Sequence, residues 1–216
     1  MRLEPVNAVH REDCFICRAM HDREPPWTDQ PLLLRRGRGC VLPGVGSLVA
    51  GYVLISPADH VPNLCSTAPE SGFPEFLRQA LSRLGDHLGE VTYWEHGGVS
   101  APSFPTSACV DHAHLHVVPG SYGLRLPTRA TVDASDVFTM LTEHAAAWRE
   151  RPYLMLGSTR GQCTLTEDVG IPQYFRRQLA ATVGEPDLWD YAAFPGEANI
   201  RATLTLLRRF SAQATE

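Results

Sequence analysis

The spacing of apolar and polar positions changes several times along the chain, and each change predicts an element. Leu32 to Arg36 and Cys40 to Leu42 are short runs flanking Gly37-Arg38-Gly39, the pattern of a β-hairpin whose glycines supply the turn conformations. Tyr52 to Ser56 predicts a third strand, followed by Pro57. From Pro74 to Leu88 the period lengthens. Phe76, Leu77, Ala80, Leu81, Leu84 and Leu88 fall on one helical stripe with proline in its first turn. Val91 to Trp94 reads as a short strand, and Gly97 to Ser107, rich in Gly, Ser, Pro and Thr, reads as a loop. Cys109 to Pro119 then alternates strictly and predicts another strand. Further on, Ser135 and Asp136 precede a helical stretch ending near Arg149, and Tyr153 to Leu156 with Gln162 to Leu165 form a second hairpin pattern. Pro172 to Val183, ended by Gly184 and Pro186, and Glu197 to Phe210 read as helices. The order is that of an α+β fold with helices gathered toward its C-terminal end.

At 216 residues the chain is long enough to bury a sizeable core. Its 24 acidic against 19 basic side chains leave a formal charge of −5, without the basic excess expected of a protein that binds a nucleic-acid backbone. Apolar runs such as Leu32 to Leu34 and Val53 to Ile55 are far short of the ~18 residues of a membrane span. The N-terminal segment has acids and no apolar signal core. A soluble, cytoplasmic globular protein is the expectation.

Six cysteines do not make a disulfide-dense scaffold. Cys14 and Cys17 form a C-x-x-C, followed by a polar stretch, His21 to Pro31, that reads as a loop, while Cys40, Cys65, Cys109 and Cys163 stand singly. Three of the nine histidines bunch at alternate positions in His112-Ala113-His114-Leu115-His116. On a strand they project from one face, about 6–7 Å apart, with Ala113, Leu115 and Val117 on the other. Such a row suits metal binding by neutral imidazoles or nucleophilic catalysis in which one imidazole attacks beside another. The plain alternative is a row of surface histidines on an edge strand.

The segment His112-Ala113-His114-Leu115-His116-Val117-Val118 resembles the H-φ-H-φ-H-φ-φ signature of the histidine-triad (HIT) nucleotide hydrolases and transferases. Upstream, Gly51-Tyr52-Val53-Leu54-Ile55-Ser56-Pro57-Ala58-Asp59-His60 is similar to that family's G-H-x-L-V-I-P-K-x-H stretch. The resemblance covers roughly residues 10 to 120. It implies a HIT-like antiparallel sheet with packed helices in residues 1–120, an α/β extension packed on it in 121–216, and a homodimer. It also implies that His114 is the nucleophile, attacking the α-phosphate of a nucleotide to give a nucleotidyl-imidazole, with His116 contacting the phosphate or leaving group.

Taken alone, Cys14 and Cys17 leave three readings open. A redox pair would call for a thioredoxin-like βαβ context that the following chain lacks; the others are two buried thiols and two metal ligands. Zinc-containing HIT relatives, including the galactose-1-phosphate uridylyltransferase branch, pair an N-terminal C-x-x-C with two histidines. The resemblance places these at His60 and His112. Cys14, Cys17, His60 and His112 would then form a closed structural zinc site, pinning the N-terminal segment to the base of the triad strand.

Other residues carry weaker signals. Glu95-His96-Gly97-Gly98 leads from a strand into a loop and can offer N–H groups and His96 to an anion, though loop geometry explains Gly-Gly equally well. Ser107, just before the triad, is a candidate donor to a phosphate oxygen. Arg176 and Arg177 near the start of a helix could clamp a phosphate or form a solvated face. His10, His21, His87 and His144 read as surface residues. Residues 189–200 are loosely similar to C-terminal extensions beside HIT-like domains in splicing-factor-related and bacterial proteins.

The chain has Ser107-Ala108-Cys109-Val110-Asp111 where many relatives carry Asn-Gly and Gly-Gln. It has no acid between Cys40 and Gly46, where many place a ribose-binding Asp. The base is therefore left unspecified. The expected function is hydrolysis of a nucleotide or nucleotide conjugate, since many relatives with His at the position of His116 hydrolyse, whereas the uridylyltransferase branch carries Gln there. The alternatives are a nucleotidyltransferase or phosphorylase, a specialised biosynthetic enzyme using the same histidine, and a non-catalytic nucleotide-binding module.

Overall fold

The computed structural model describes residues 11–100, 106–128 and 131–212. Helix α1 (Phe15–His21) precedes strands β1 (Leu33–Arg35), β2 (Gly39–Pro43) and β3 (Val53–Pro57). Helix α2 (Phe73–Leu88) leads to β4 (Val91–Gly97), and β5 (Leu115–Pro119) and β6 (Val132–Ala134) follow. A helical stretch begins with α3 (Val137–Thr139), passes through a π turn at Met140–His144 and ends in α4 (Ala145–Trp148). Strands β7 (Tyr153–Ser158) and β8 (Cys163–Glu167) precede α5 (Tyr174–Thr182), α6 (Glu197–Leu206) and α7 (Arg208–Ala212). No helix among the described residues is long and apolar enough to cross a membrane.

The eight strands form one sheet in the order β1-β2-β3-β5-β4-β7-β8-β6, antiparallel at every pairing. The fold is α+β. Alternation along each strand divides its side chains between two cores. Val53, Ile55, Leu115, Val117 and Tyr93 meet Phe73, Phe76, Leu77 and Leu84 of α2 on one face. Cys40, Leu42, Leu54 and Trp94 meet Ile16 and Met20 of α1 and Phe175 and Leu179 of α5 on the other. Each large apolar side chain so buried stabilises the fold by about 1.5–3 kcal/mol. The expected stripe on α2 is the buried one, and Pro74 sits in its first turn.

Several expectations change in detail. The triad segment joins the sheet at Leu115, not at Cys109. Before it, the backbone is held by isolated bonds: Ala113 N–H donates to the Val61 carbonyl at 2.7 Å, and Ser56 Oγ donates to the Ala113 carbonyl at 2.7 Å. These tethers follow no ladder register, so His112 and His114 leave the strand path while Ala113 keeps its apolar side. The stretch after Cys14 is helix α1, closed by Asp22 N–H on the Arg18 carbonyl at 2.7 Å. Helices are not confined to the C-terminal end, because α2 forms one side of the principal core. His21 is exposed, whereas His87 and His144 are half-buried; His10 lies outside the described residues.

The segment after α5 ties back across the molecule. Gly46 N–H donates to the Pro195 carbonyl at 2.8 Å, Asn199 Nδ2 to the Ser47 carbonyl at 2.9 Å, and Gly51 N–H to Thr203 Oγ1 at 2.8 Å. Leu207 and Phe210 continue into the α2 core.

Candidate functional site

Four buried side chains from three separate segments converge at the start of α1. The ligand atoms of Cys14, Cys17, His60 and His112 all lie within 4.8 Å of one another. His112 Nδ1 is 3.5 Å from Cys14 Sγ and 3.4 Å from Cys17 Sγ, and His60 Nδ1 is 3.4 Å from Cys17 Sγ. A tetrahedral shell with metal–sulfur bonds of about 2.3 Å and metal–nitrogen bonds of about 2.0 Å sets its sulfur–nitrogen edges near 3.5 Å. The observed spacings fit. The far nitrogen of His112 is held in the manner of a metal-bound histidine, its Nε2 bonding the Pro57 carbonyl at 3.0 Å, while His60 Nε2 comes within 3.3 Å of Asp111 Oδ1 without a hydrogen bond. A hydrogen bond from Cys17 holds the Cys14 thiol well below its ordinary value, with His112 assisting, while Cys17 is pushed up. The four side chains form a group able to hold a metal ion.

Immediately beyond His112, a cavity of about 310 Å³ opens on the same face of the sheet, lined by His114, His116, His96, Ser107, Arg176 and Asp29 among others. His114 Nδ1 lies 2.7 Å from the His112 carbonyl. A carbonyl only accepts, so Nδ1 carries the proton and Nε2 keeps its lone pair. His116 is set the opposite way. Its Nδ1 is 2.7 Å from the Tyr52 hydroxyl, which accepts from Arg176 at 3.2 Å and whose own proton, with no other acceptor in the network, is assigned to the imidazole. His116 then bears its proton on Nε2. The two rings meet edge to face at 4.6 Å, and Trp94 stacks on His116 at 5.1 Å, within 10° of parallel.

His96 stands inside β4, not on the turn after it, and its Nε2 accepts the Phe175 N–H at 3.1 Å. Burial is the main reason all three imidazoles resist protonation: His114 is held at about 4, His96 at about 3, and His116 well below its usual value. Repulsion among them and from Arg176 adds to the effect at His96 and His116. Three neutral imidazoles therefore face one cavity at neutral pH. Ser107 lines the wall, but Asp168 accepts from both its hydroxyl and, at 2.7 Å, its N–H.

The predicted ligand set is thus brought together, as are His114, His116, His96 and Ser107 around the cavity. Tyr52, Trp94, Arg176 and Asp168 complete the surroundings; Tyr52 belongs to the upstream stretch Gly51 to His60, and Trp94 and Asp168 lie in no motif. Arg176 had a signal of another kind, its place near a predicted helix start. Arg177 parts from it, stacking over Trp189 at 3.3 Å.

No protein-family model matches the chain. Zinc finger CCCH domain-containing protein 64 of Arabidopsis thaliana is 28% identical over 206 residues, covering 86% of this chain and 32% of the relative. The chain therefore spans about a third of that relative's length. Among solved structures, a HIT family hydrolase from Clostridium thermocellum superposes with a TM-score of 0.40 at 15% identity, over 55% of this chain and 99% of that one. A Hit-like protein involved in cell-cycle regulation from Bartonella henselae gives a TM-score of 0.40 at 15% identity, over 53% and 85%. What the geometry itself defines is an α+β protein with a Cys2His2 group set against a histidine-lined cavity.

Proposed function

We propose that the protein is a hydrolase of the histidine-triad kind, cleaving a nucleotide or nucleotide conjugate at its α-phosphate through a covalent intermediate on His114. The observation that carries this reading is the pair of hydrogen bonds that hold the two rings, Nδ1 of His114 on the His112 carbonyl and Nδ1 of His116 on the Tyr52 hydroxyl. The His112 carbonyl leaves His114 with a free Nε2 lone pair, and Tyr52 leaves His116 with a proton on Nε2, both on the wall of one cavity. A nucleophile needs the first arrangement, and a donor to phosphate oxygens or to the leaving group needs the second.

In the first step His114 Nε2 forms a bond to phosphorus while the bond from phosphorus to the leaving oxygen breaks. The leaving group departs with that electron pair and takes a proton from His116 or water. His114 becomes a phosphorylated imidazolium, whose positive charge strengthens the Nδ1–H bond to the His112 carbonyl. Water then attacks phosphorus, the nitrogen–phosphorus bond breaks, and its electron pair returns to Nε2. The water's remaining proton restores the donor or passes to solvent.

Zinc is the metal we assign to Cys14, Cys17, His60 and His112, on the strength of these four ligands and their spacing. With all four positions filled by protein the ion would supply structure, and His112, whose carbonyl orients the nucleophile, would be fixed by it. His96 is placed as a further neutral donor to substrate through Nδ1, and Ser107 as a contact at the phosphate end, its loop braced by Asp168. Residues 1–120 would hold the reaction and 121–216 would complete the cavity wall, with Arg176 and Ile200 on it.

Turnover of nucleoside polyphosphates, nucleoside phosphoramidates and sugar nucleotides tests the reading. The wild type should turn over at least one class, and His114→Ala should lower that rate by about 10³-fold or more, the scale of losing a nucleophile. An undiminished rate in His114→Ala would contradict it.

A further inference from the structure

The cavity holds a charge that its own walls leave unneutralised. Arg176 is 2% exposed. Its Nε donates to Gln173 Oε1 and to the Trp189 carbonyl, each at 2.9 Å. One terminal nitrogen donates to the Tyr52 hydroxyl at 3.2 Å and the other to the Gly46 carbonyl at 2.9 Å. All four acceptors are neutral. Among the described residues no carboxylate forms an ion pair with Arg176. Asp29, an acid on the same cavity wall, accepts from Thr28 Oγ1 instead, at 2.8 Å.

A guanidinium has five N–H groups in a planar fork, and these bonds leave one on each terminal nitrogen. A buried cation without a counter-charge is unfavourable. Its surroundings are nonetheless built around it: a Cβ at position 46 would come within 2.8 Å of the guanidinium and 2.4 Å of Tyr191 Cβ, so glycine there lets the backbone carbonyl reach the arginine. A fork of this kind with two unused N–H groups matches two oxygens of a phosphate. Its position is also defined. The Tyr52 hydroxyl bonds both the guanidinium and His116 Nδ1, so Arg176 stands one hydroxyl away from the third histidine and beside the pair that faces the reacting group.

We propose that Arg176 is a specificity-determining residue, seating a second phosphate next to the one attacked by His114 and so favouring a phosphate leaving group over an uncharged one. This rests on the reading of His114 as the nucleophile. When the nitrogen–phosphorus bond forms and the bridging phosphorus–oxygen bond breaks, the electron pair passes to the departing phosphate, where the guanidinium offsets the added charge.

Calorimetric titration with inorganic phosphate and with pyrophosphate tests this on the wild type, His114→Ala and Arg176→Gln. Pyrophosphate should bind the wild type and His114→Ala at least tenfold more tightly than phosphate does. Arg176→Gln should lose that advantage. Equal affinities for the two anions in the wild type, or an unchanged pyrophosphate affinity in Arg176→Gln, would overturn the proposal.

Should Arg176→Gln fail to fold, the wild type labelled with ¹⁵N-arginine decides the matter. The Arg176 Nε signal must shift with pyrophosphate, and a stationary signal refutes the seat. The nucleophile is read separately, by the mass of the wild-type protein after incubation with a dinucleotide polyphosphate. Arg176-dependent pyrophosphate binding without any adduct would overturn the nucleophile and leave the anion seat standing.

Discussion

His114 is held from behind by the carbonyl of a residue that belongs to the Cys2His2 group, so the aim of one imidazole depends on a site two positions away. Burial then keeps the ring neutral: its ordinary value of about 6.5 falls to about 4. A nucleophilic imidazole works unprotonated, so kcat/KM should stay level from pH 8 down to about 5 and fall only below that. An acid limb near pH 6.5 would contradict the buried arrangement. Stability carries the same sign. The unfolded chain takes up a proton on this residue below about pH 6.5 that the folded chain accepts only near 4, so stability should decline as the pH drops through that interval. The histidines and the C-x-x-C were legible in the sequence because their residue types are scarce and their spacing is local. The linkage of Tyr52 to His116 and Arg176 was not, since Tyr52 stands 64 positions from the first and 124 from the second, and only the fold brings these groups into contact.

At the scale of elements, the segment from Cys109 to His114 departs most from its pattern. Its alternation is that of a strand, and Ala113 does face the α2 core. The backbone nevertheless leaves the ladder to carry His112 against Cys14 and Cys17. Hydropathy registers which side a residue faces and is blind to what its polar neighbours bind. Helix α1 was missed for a related reason: it is short, and its inward residues include Cys17, which serves the four-ligand group as well as the core. If that group holds a structural ion, Cys17→Ser should purify without stoichiometric zinc. Losing such a site costs several kcal/mol, so Tm should fall by roughly 10 °C. Full zinc content in the variant, measured by elemental analysis, would show that Cys17 is not a ligand.

Over the whole molecule, one antiparallel sheet runs from β1 to β6, with β4 of the first half paired to β7 of the second. Most strand and helix types were legible because their periods are clear, whereas the short α1 and the three-residue β6 were not. The joining of β4 to β7 was not, because pairing between distant strands leaves no local mark. The same is true of the return of residues 195–203 to the loop between β2 and β3. That closure depends on Gly46, whose φ of +73° is a conformation side chains avoid and whose Cβ position is already filled by Tyr191. Gly46→Ala should destabilise the protein by about 2 kcal/mol or more, from backbone strain and the collision together. A Tm fall of roughly 4–8 °C would register it. An unchanged Tm would mean that the C-terminal segment does not pack on this loop.

The most direct measurement of the central claim is intact-protein mass after brief incubation with a panel of nucleotides, for the wild type and His114→Ala. The wild type should gain the mass of one nucleoside monophosphate, and the size of the gain would identify the base. His114→Ala should gain nothing. An adduct that persists in His114→Ala, or turnover by the wild type with no adduct under rapid acid quench, would contradict a covalent intermediate on His114.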